Sequence, residues 1–284
     1  MRAKIVLFVV AGLVTLLGHD AAAASFGSNI TMYDGSSVSG VWHGTGEDQE
    51  TEPGMVGSQA WDLEGFFLKG HTLTMAGGFD FKHGVSGYSQ FSMGDIFIDV
   101  NGIYGRPAAP AGYSPATGNH TYTGNFGYEF VVDLDPDSET YSVYRLNNDT
   151  ARVETVAVEQ NESGDTPADP SSNPWRYVEG GEEVTGFQGL TMAYYDPFGD
   201  SDANALDNGL TGGIHYALGI DLSFLTLAGY SEFVAHATMG CGNDNLMGKG
   251  TAPVPEPATL LLFGTGLIGL AGIVRRKRAG HPLS

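Results

Sequence analysis

One cysteine, Cys241, occurs in 284 residues. No disulfide can therefore form within the chain, and stability has to come from a packed core or a bound ion. Basic residues are also scarce: 13 Lys and Arg face 33 Asp and Glu, a formal net charge of −20. Six of those cations (Arg2, Lys4, Arg275, Arg276, Lys277, Arg278) sit near the two ends, where Asp20 and Glu256 are the only acids. The stretch between is left with 7 cations against 31 acids, about −24. Such a surface repels nucleic acid and anionic lipid and attracts cations. Missing too are Gly-x-Ser-x-Gly, His-Glu-x-x-His and the paired Cys or His spacing of structural zinc, which leaves no motif-level case for an esterase, a zinc protease or a zinc finger.

Long apolar runs are confined to the ends. Arg2 and Lys4 precede the apolar Ile5 to Leu17 and the small residues Ala21 to Ala24, the three parts of an export signal, so residues 1–24 read as a signal helix cleaved after Ala24. Ala258 to Val274 carries no charge, and as a helix it reaches ~25 Å, close to the thickness of a hydrocarbon core. Arg275-Arg276-Lys277-Arg278 should stay on the cytoplasmic side with the tail 279–284, which puts everything before the helix outside the cytoplasm. Gly264, Gly266, Gly269 and Gly272 leave that helix a nearly bare face, tolerated in lipid. Just before it, two X-Pro bonds push Val254 and Glu256 toward extended backbone, a form that the groove of a processing enzyme reads.

Pro255-Glu256-Pro257, the glycine-rich span and Arg275 to Arg278 together resemble the PEP-CTERM sorting signal of Gram-negative bacteria, over residues 253–278. The resemblance implies Sec export, signal peptidase, and processing by an exosortase, a membrane cysteine transpeptidase. It implies a precursor anchored temporarily in the inner membrane and a mature form at the cell surface or outside the cell.

Residues 25–252 read as one all-β domain, an antiparallel β-sandwich of jelly-roll kind, because short β-branched and aromatic runs alternate with Gly, Asn and Asp turns and no charged helical stripe occurs. Ser28 to Tyr33 and Val38 to His43 read as an opening hairpin. Glu47 to Glu52 reads as a solvated acidic loop. Trp61 to Leu68, His71 to Ala76 and Phe79 to Phe81 read as strands. Gly94 to Val100 alternates strictly and reads as a half-buried strand. Tyr122 to Leu134 and Thr140 to Leu146 form the clearest hairpin, joined by an acidic β-turn; Thr155 to Val158, Gly186 to Tyr195 and His215 to Leu222 follow as strands, and Phe233 to Asp244 as the last element.

Three sets of residues stand out as candidate sites. Asp200, Asp202 and Asn204 alternate so that their oxygens converge, and Asp207 adds a carboxylate; these are the candidate Ca²⁺ ligands, although Ala205 replaces the turn glycine of an EF-type loop. Trp42, Trp61 and Trp175 are the candidate glycan-stacking faces. His236-x-Thr238-x-x-Cys241-Gly242-Asn243-Asp244 resembles a recurrent ending of one group of exosortase-dependent surface proteins, and Asn173-Pro174-Trp175 and Gly94-Asp95-Ile96-Phe97-Ile98-Asp99 are similar to that group too. The resemblance implies a cell-surface or matrix role and no established catalysis. A Cys241–His236 nucleophile would require two strand positions five apart to meet, whereas they point to opposite faces. The expected function is therefore non-enzymatic, structural or adhesive work in an exopolysaccharide matrix. A carbohydrate-binding module is the alternative; a glycan hydrolase comes last, since nothing singles out a carboxylate pair.

Overall fold

The computed structural model describes residues 26–32, 47–52, 55–102, 118–157 and 172–253. The expected signal helix, the strand from Val38 to His43 with Trp42, and the tail 254–284 with Pro255-Glu256-Pro257, the apolar run and the Arg-rich end lie outside them.

Strand pairing in the three sheets is antiparallel. The first sheet runs β1 (Ser28–Asn29), β2 (Gly65–Lys69), β3 (Thr72–Gly77), β13 (Ile214–Asp221) and β12 (Ala193–Gly199). The second runs β10 (Glu182–Glu183), β7 (Thr140–Arg145), β6 (Phe130–Asp135), β4 (Ile96–Asp99), β14 (Glu232–Thr238) and β15 (Asn245–Thr251), with β11 (Leu190–Thr191) also on β7. A small third sheet joins β5 (Thr121–Thr123), β8 (Arg152–Glu154) and β9 (Arg176–Glu179). Two short helices, α1 (Ala203–Asn208) and α2 (Ser223–Leu227), complete the elements used below. Among the described residues no helix is long and apolar enough to cross a membrane.

One core takes side chains from both large sheets: Phe66, Leu73, Met75 and Leu218 from the first, Ile96, Ile98, Val132, Val143 and Phe233 from the second. Each such side chain contributes roughly 1.5–3 kcal/mol by leaving water. The chain after β1 ties the sheets along one edge, since Ile30 O accepts from Lys249 N (2.9 Å) and Met32 N donates to Met247 O (2.8 Å).

The alternation of Gly94 to Val100 separates the two faces correctly but misjudges one of them. Ile96 and Ile98 enter the main core, while Phe97 packs with Tyr128, Val131 and Val153 in a separate cluster. β4 is thus buried on both faces, because the third sheet covers the side expected to meet water. The acidic segment is corrected more sharply. Glu47, Glu50, Thr51 and Glu52 are all buried, held where Glu52 N donates to Asn243 O and Asp62 accepts from the backbone of residues 49 and 50.

Other differences are local. Trp61 lies in a 3₁₀ turn, Gln59–Trp61, and residues 79–81 are not strand. The run from Tyr122 splits, with β5 pairing β8 and only Phe130 onward forming the hairpin with β7. Its acidic turn is closed by Ser138 N on Asp135 Oδ1 (3.2 Å). β15, glycine-rich and unexpected from sequence, exists because rings fill the space its glycines leave. A Cβ on Gly248 would stand 2.9 Å from Phe66 Cβ, and one on Gly250 would stand 2.6 Å from the Phe233 ring.

Candidate functional site

The three family-like motifs, far apart in sequence, meet at one junction. Gly94 N donates to Thr238 O and Asp95 N to Trp175 O, both at 3.0 Å. Asp95 in turn accepts from two other backbone groups, Leu134 N at Oδ1 (2.8 Å) and Tyr177 N at Oδ2 (2.7 Å), stapling β6 to β9. His236 Nε2 donates to Pro174 O (3.0 Å), after a cis Asn173–Pro174 bond. Close approach explains the small residues here: a Cβ on Gly94 would lie 2.1 Å from Trp175 O, and one on Gly240 would lie 2.7 Å from the Trp175 ring. Burial pushes the His236 imidazole down to about 4, against the opposing pull of Pro174 O and Asn245. It pushes the Cys241 thiol up to about 11, so the thiolate that nucleophilic chemistry requires is disfavoured.

The turn that ends the last motif reaches the other way. The Asn243 amide pairs with the Val56 backbone, Oδ1 accepting from N and Nδ2 donating to O, both at 3.0 Å. Thr238 Oγ1 donates to Asp244 O (2.6 Å), and the Asp244 carboxylate accepts from the backbone N–H of Leu63 and of Asn245. These contacts clamp the segment before β2 onto the β14–β15 hairpin.

Beyond this clamp lies an acidic pocket. One carboxylate oxygen from each of Asp48, Asp62 and Glu64 falls within 4.8 Å of the others. Asp62 accepts from Gln49 N (2.9 Å) and Glu50 N (3.3 Å), and Asp48 Oδ2 from Thr211 N (3.0 Å) and Oγ1 (2.9 Å). Glu64 Oε1 is engaged by Gln59 Nε2 and by His215 Nδ1, the latter at 2.6 Å. Burial and then the charge of Glu64 push Asp62 up to about 10, and burial pushes Glu64 up to about 7 against the pull of His215. Asp244 is raised by burial and then by Asp62.

The candidate Ca²⁺ ligands Asp200, Asp202, Asn204 and Asp207 are used differently from expectation. Asp202 caps α1, its Oδ1 accepting from Asn204 N (2.8 Å), and Asp207 lies exposed on that helix. Asp200 Oδ1 accepts from Gly213 N (2.8 Å) and engages His215 Nε2 (2.9 Å). A helix cap thus takes one oxygen of Asp202, and Gly213 and His215 take one of Asp200, where alternation alone would converge them. Burial works against a charged His215, yet the bonds to Glu64 and then Asp200 hold its pKa above the ordinary value. The candidate glycan faces are corrected as well. Trp61 packs edge-on with Tyr88 and Phe91 and at a tilt against Phe79, and Trp175 is buried at the junction with the Arg176 guanidinium 4.5 Å from its ring. Neither offers an open face for a sugar.

An open cleft of about 400 Å³ lies beside the junction, lined among others by Lys82, Asp133, Asp137, Arg176 and Tyr177. Both signs of charge and a phenol ring around one hollow suit a polyhydroxylated ligand. Burial and then the charge of Asp135 push Asp133 up to about 6. No sequence signal marked this cleft, because its walls come from turns and strand ends far apart in the chain.

By architecture, then, this is an antiparallel all-β domain whose last strand runs into a tail two residues later. Residues 253–278 match the PEP-CTERM protein-sorting motif, so the chain carries a PEP-CTERM sorting domain in that tail. The motif implies export, membrane anchoring and exosortase-dependent sorting to the surface. No curated protein and no solved structure matches the chain.

Proposed function

We propose that this chain is an exported matrix or adhesion protein, a jelly-roll-like β-sandwich over 25–252 that performs no catalysis and is delivered by its own tail. The signal 1–24 is removed, the helix Ala258 to Val274 holds the precursor, and an exosortase acts at Pro255-Glu256-Pro257. The carrying observation is the sorting motif at 253–278 directly behind β15. The base of the tail supports the reading, since Ala252 N donates to Ser231 O (2.6 Å) and Pro253 O accepts from Thr226 Oγ1 (3.1 Å). The folded body therefore ends at the motif with almost no spacer, and the processing enzyme meets the signal at a fixed exit. Replacing Pro255, Glu256 and Pro257 by alanine should retain the precursor in the inner membrane and leave its mass unprocessed. Equal mature mass and equal surface delivery for both forms would refute the sorting role.

The cleft favours glycan binding as the second reading. In place of the tryptophans, Tyr177 and Arg176 carry it, and Asp137→Ala, a change at an exposed position of the cleft wall, should lower retention on an exopolysaccharide column at unchanged melting temperature. Unchanged retention counts against it.

A further inference from the structure

We propose that Asp48, Asp62 and Glu64 bind one Ca²⁺ ion, which pins the acidic segment 47–52 to the start of β2. The three carboxylates come from two stretches that the fold forces together, and they are turned toward one another. Two of their oxygens are left over. Glu64 is 2 % exposed, its Oε1 is taken by His215 and Gln59, and its buried Oε2 has no hydrogen-bond partner. Asp48 gives Oδ2 to Thr211 and keeps a buried Oδ1 with no partner. A buried carboxylate oxygen that no protein donor meets is costly, and further carboxylates facing it raise that cost. A divalent cation answers both demands at once.

The donor set selects the ion. It offers oxygens alone, because both nitrogens of His215 are engaged by Glu64 and Asp200, so a zinc-type ion preferring nitrogen or sulfur is poorly served. Mg²⁺ dehydrates reluctantly and usually keeps several waters on one or two carboxylates, whereas Ca²⁺ accepts irregular sets of about six to eight oxygens, so three carboxylates gathered in one buried place favour Ca²⁺. The site is separate from the Asp200–Asp207 loop and independent of the sorting role.

The test uses the full-length chain purified in detergent, melted in EDTA, in about 1 mM Ca²⁺, in equal Mg²⁺, and in NaCl of matched ionic strength. Ca²⁺ should raise the melting temperature by about 5 °C or more, with one ion per chain by equilibrium dialysis. Asp202→Asn should respond like the parent. Asp48→Asn and Glu64→Gln should each lose the response while remaining folded in EDTA. The proposal is overturned by a rise that NaCl reproduces, by no rise with no bound calcium in the parent, or by a rise that survives in the Asp48→Asn, Glu64→Gln double variant.

Discussion

The motif junction and the acidic pocket lie on either side of the Gly242–Asp244 turn, and they spend buried polar groups in opposite ways. At the junction Asp95 accepts from the backbone of two other strands, His236 donates to Pro174 O, and neighbouring glycines make room for Trp175; the atoms it leaves over, Trp175 Nε1 and His236 Nδ1, belong to uncharged rings. In the pocket, carboxylates face carboxylates, and oxygens of Asp48 and Glu64 are left over. Groups satisfied from within hold a fold together, whereas like charges buried face to face oppose it unless something else binds. The first region should therefore be damaged by almost any change, and the second improved by removing charge.

Gly94→Ala is the largest test of that contrast. The new methyl would meet Trp175 O at 2.1 Å and Thr238 O at 2.7 Å, both backbone atoms that cannot swing aside. A loss of about 4 kcal/mol or more is expected, seen as a fall in melting temperature of roughly 10 °C or as failure to fold. A fall of a degree or two would show that the junction yields, and the rigidity assigned to it would be wrong.

How much of this was legible in the sequence depends on whether a signal is local. The hairpin of β6 and β7, the strand of β13 and the sorting tail are local, and periodicity or order along the chain exposes them. The inner face of β4 was legible for the same reason; its outer face was not, because Phe97 is covered by strands that begin at Thr121, Arg152 and Arg176. Glu47 to Glu52 reads as a solvated loop because charge predicts exposure unless a partner is known; of the groups that hold it, Asp62 is nearby in the chain but Thr211 and Asn243 are not. The pocket is hidden for a different reason: Asp48, Asp62 and Glu64 are close in the chain but share no ligand spacing, whereas Asp200, Asp202 and Asn204 alternate visibly, although the cap of α1 takes an Asp202 oxygen and Gly213 and His215 take one of Asp200.

Acid offers a second, somewhat smaller way to sharpen the comparison. His236 titrates at about 4 in the fold against 6.5 ordinarily, so as pH falls the unfolded chain takes up the proton first. The contribution of the neutral imidazole is complete above pH 6.5 and is lost progressively between 6.5 and 4, by roughly 3 kcal/mol in all. His236→Gln keeps a donor for Pro174 O but has nothing to protonate. Denaturant unfolding at pH 7 and near pH 4 should show the parent losing about that much more than the variant, whatever the carboxyl groups do in both. Equal losses would mean that the junction does not hold His236 neutral.

Asp48→Asn is the smallest expected effect and the most direct test of sign. An asparagine oxygen can still accept from Thr211, while its amide turns a donor toward the oxygen that Glu64 has left over. The variant also removes an acid from a cluster in which burial already opposes ionisation of every member. In EDTA the variant should melt about 2–4 °C above the parent, a gain of about 1 kcal/mol. In Ca²⁺ the order should reverse, because the parent gains an ion that the variant has lost the charge to hold. A variant that melts below the parent in both conditions would mean that Asp48 serves the fold as Asp95 does, and the two regions would then follow one rule.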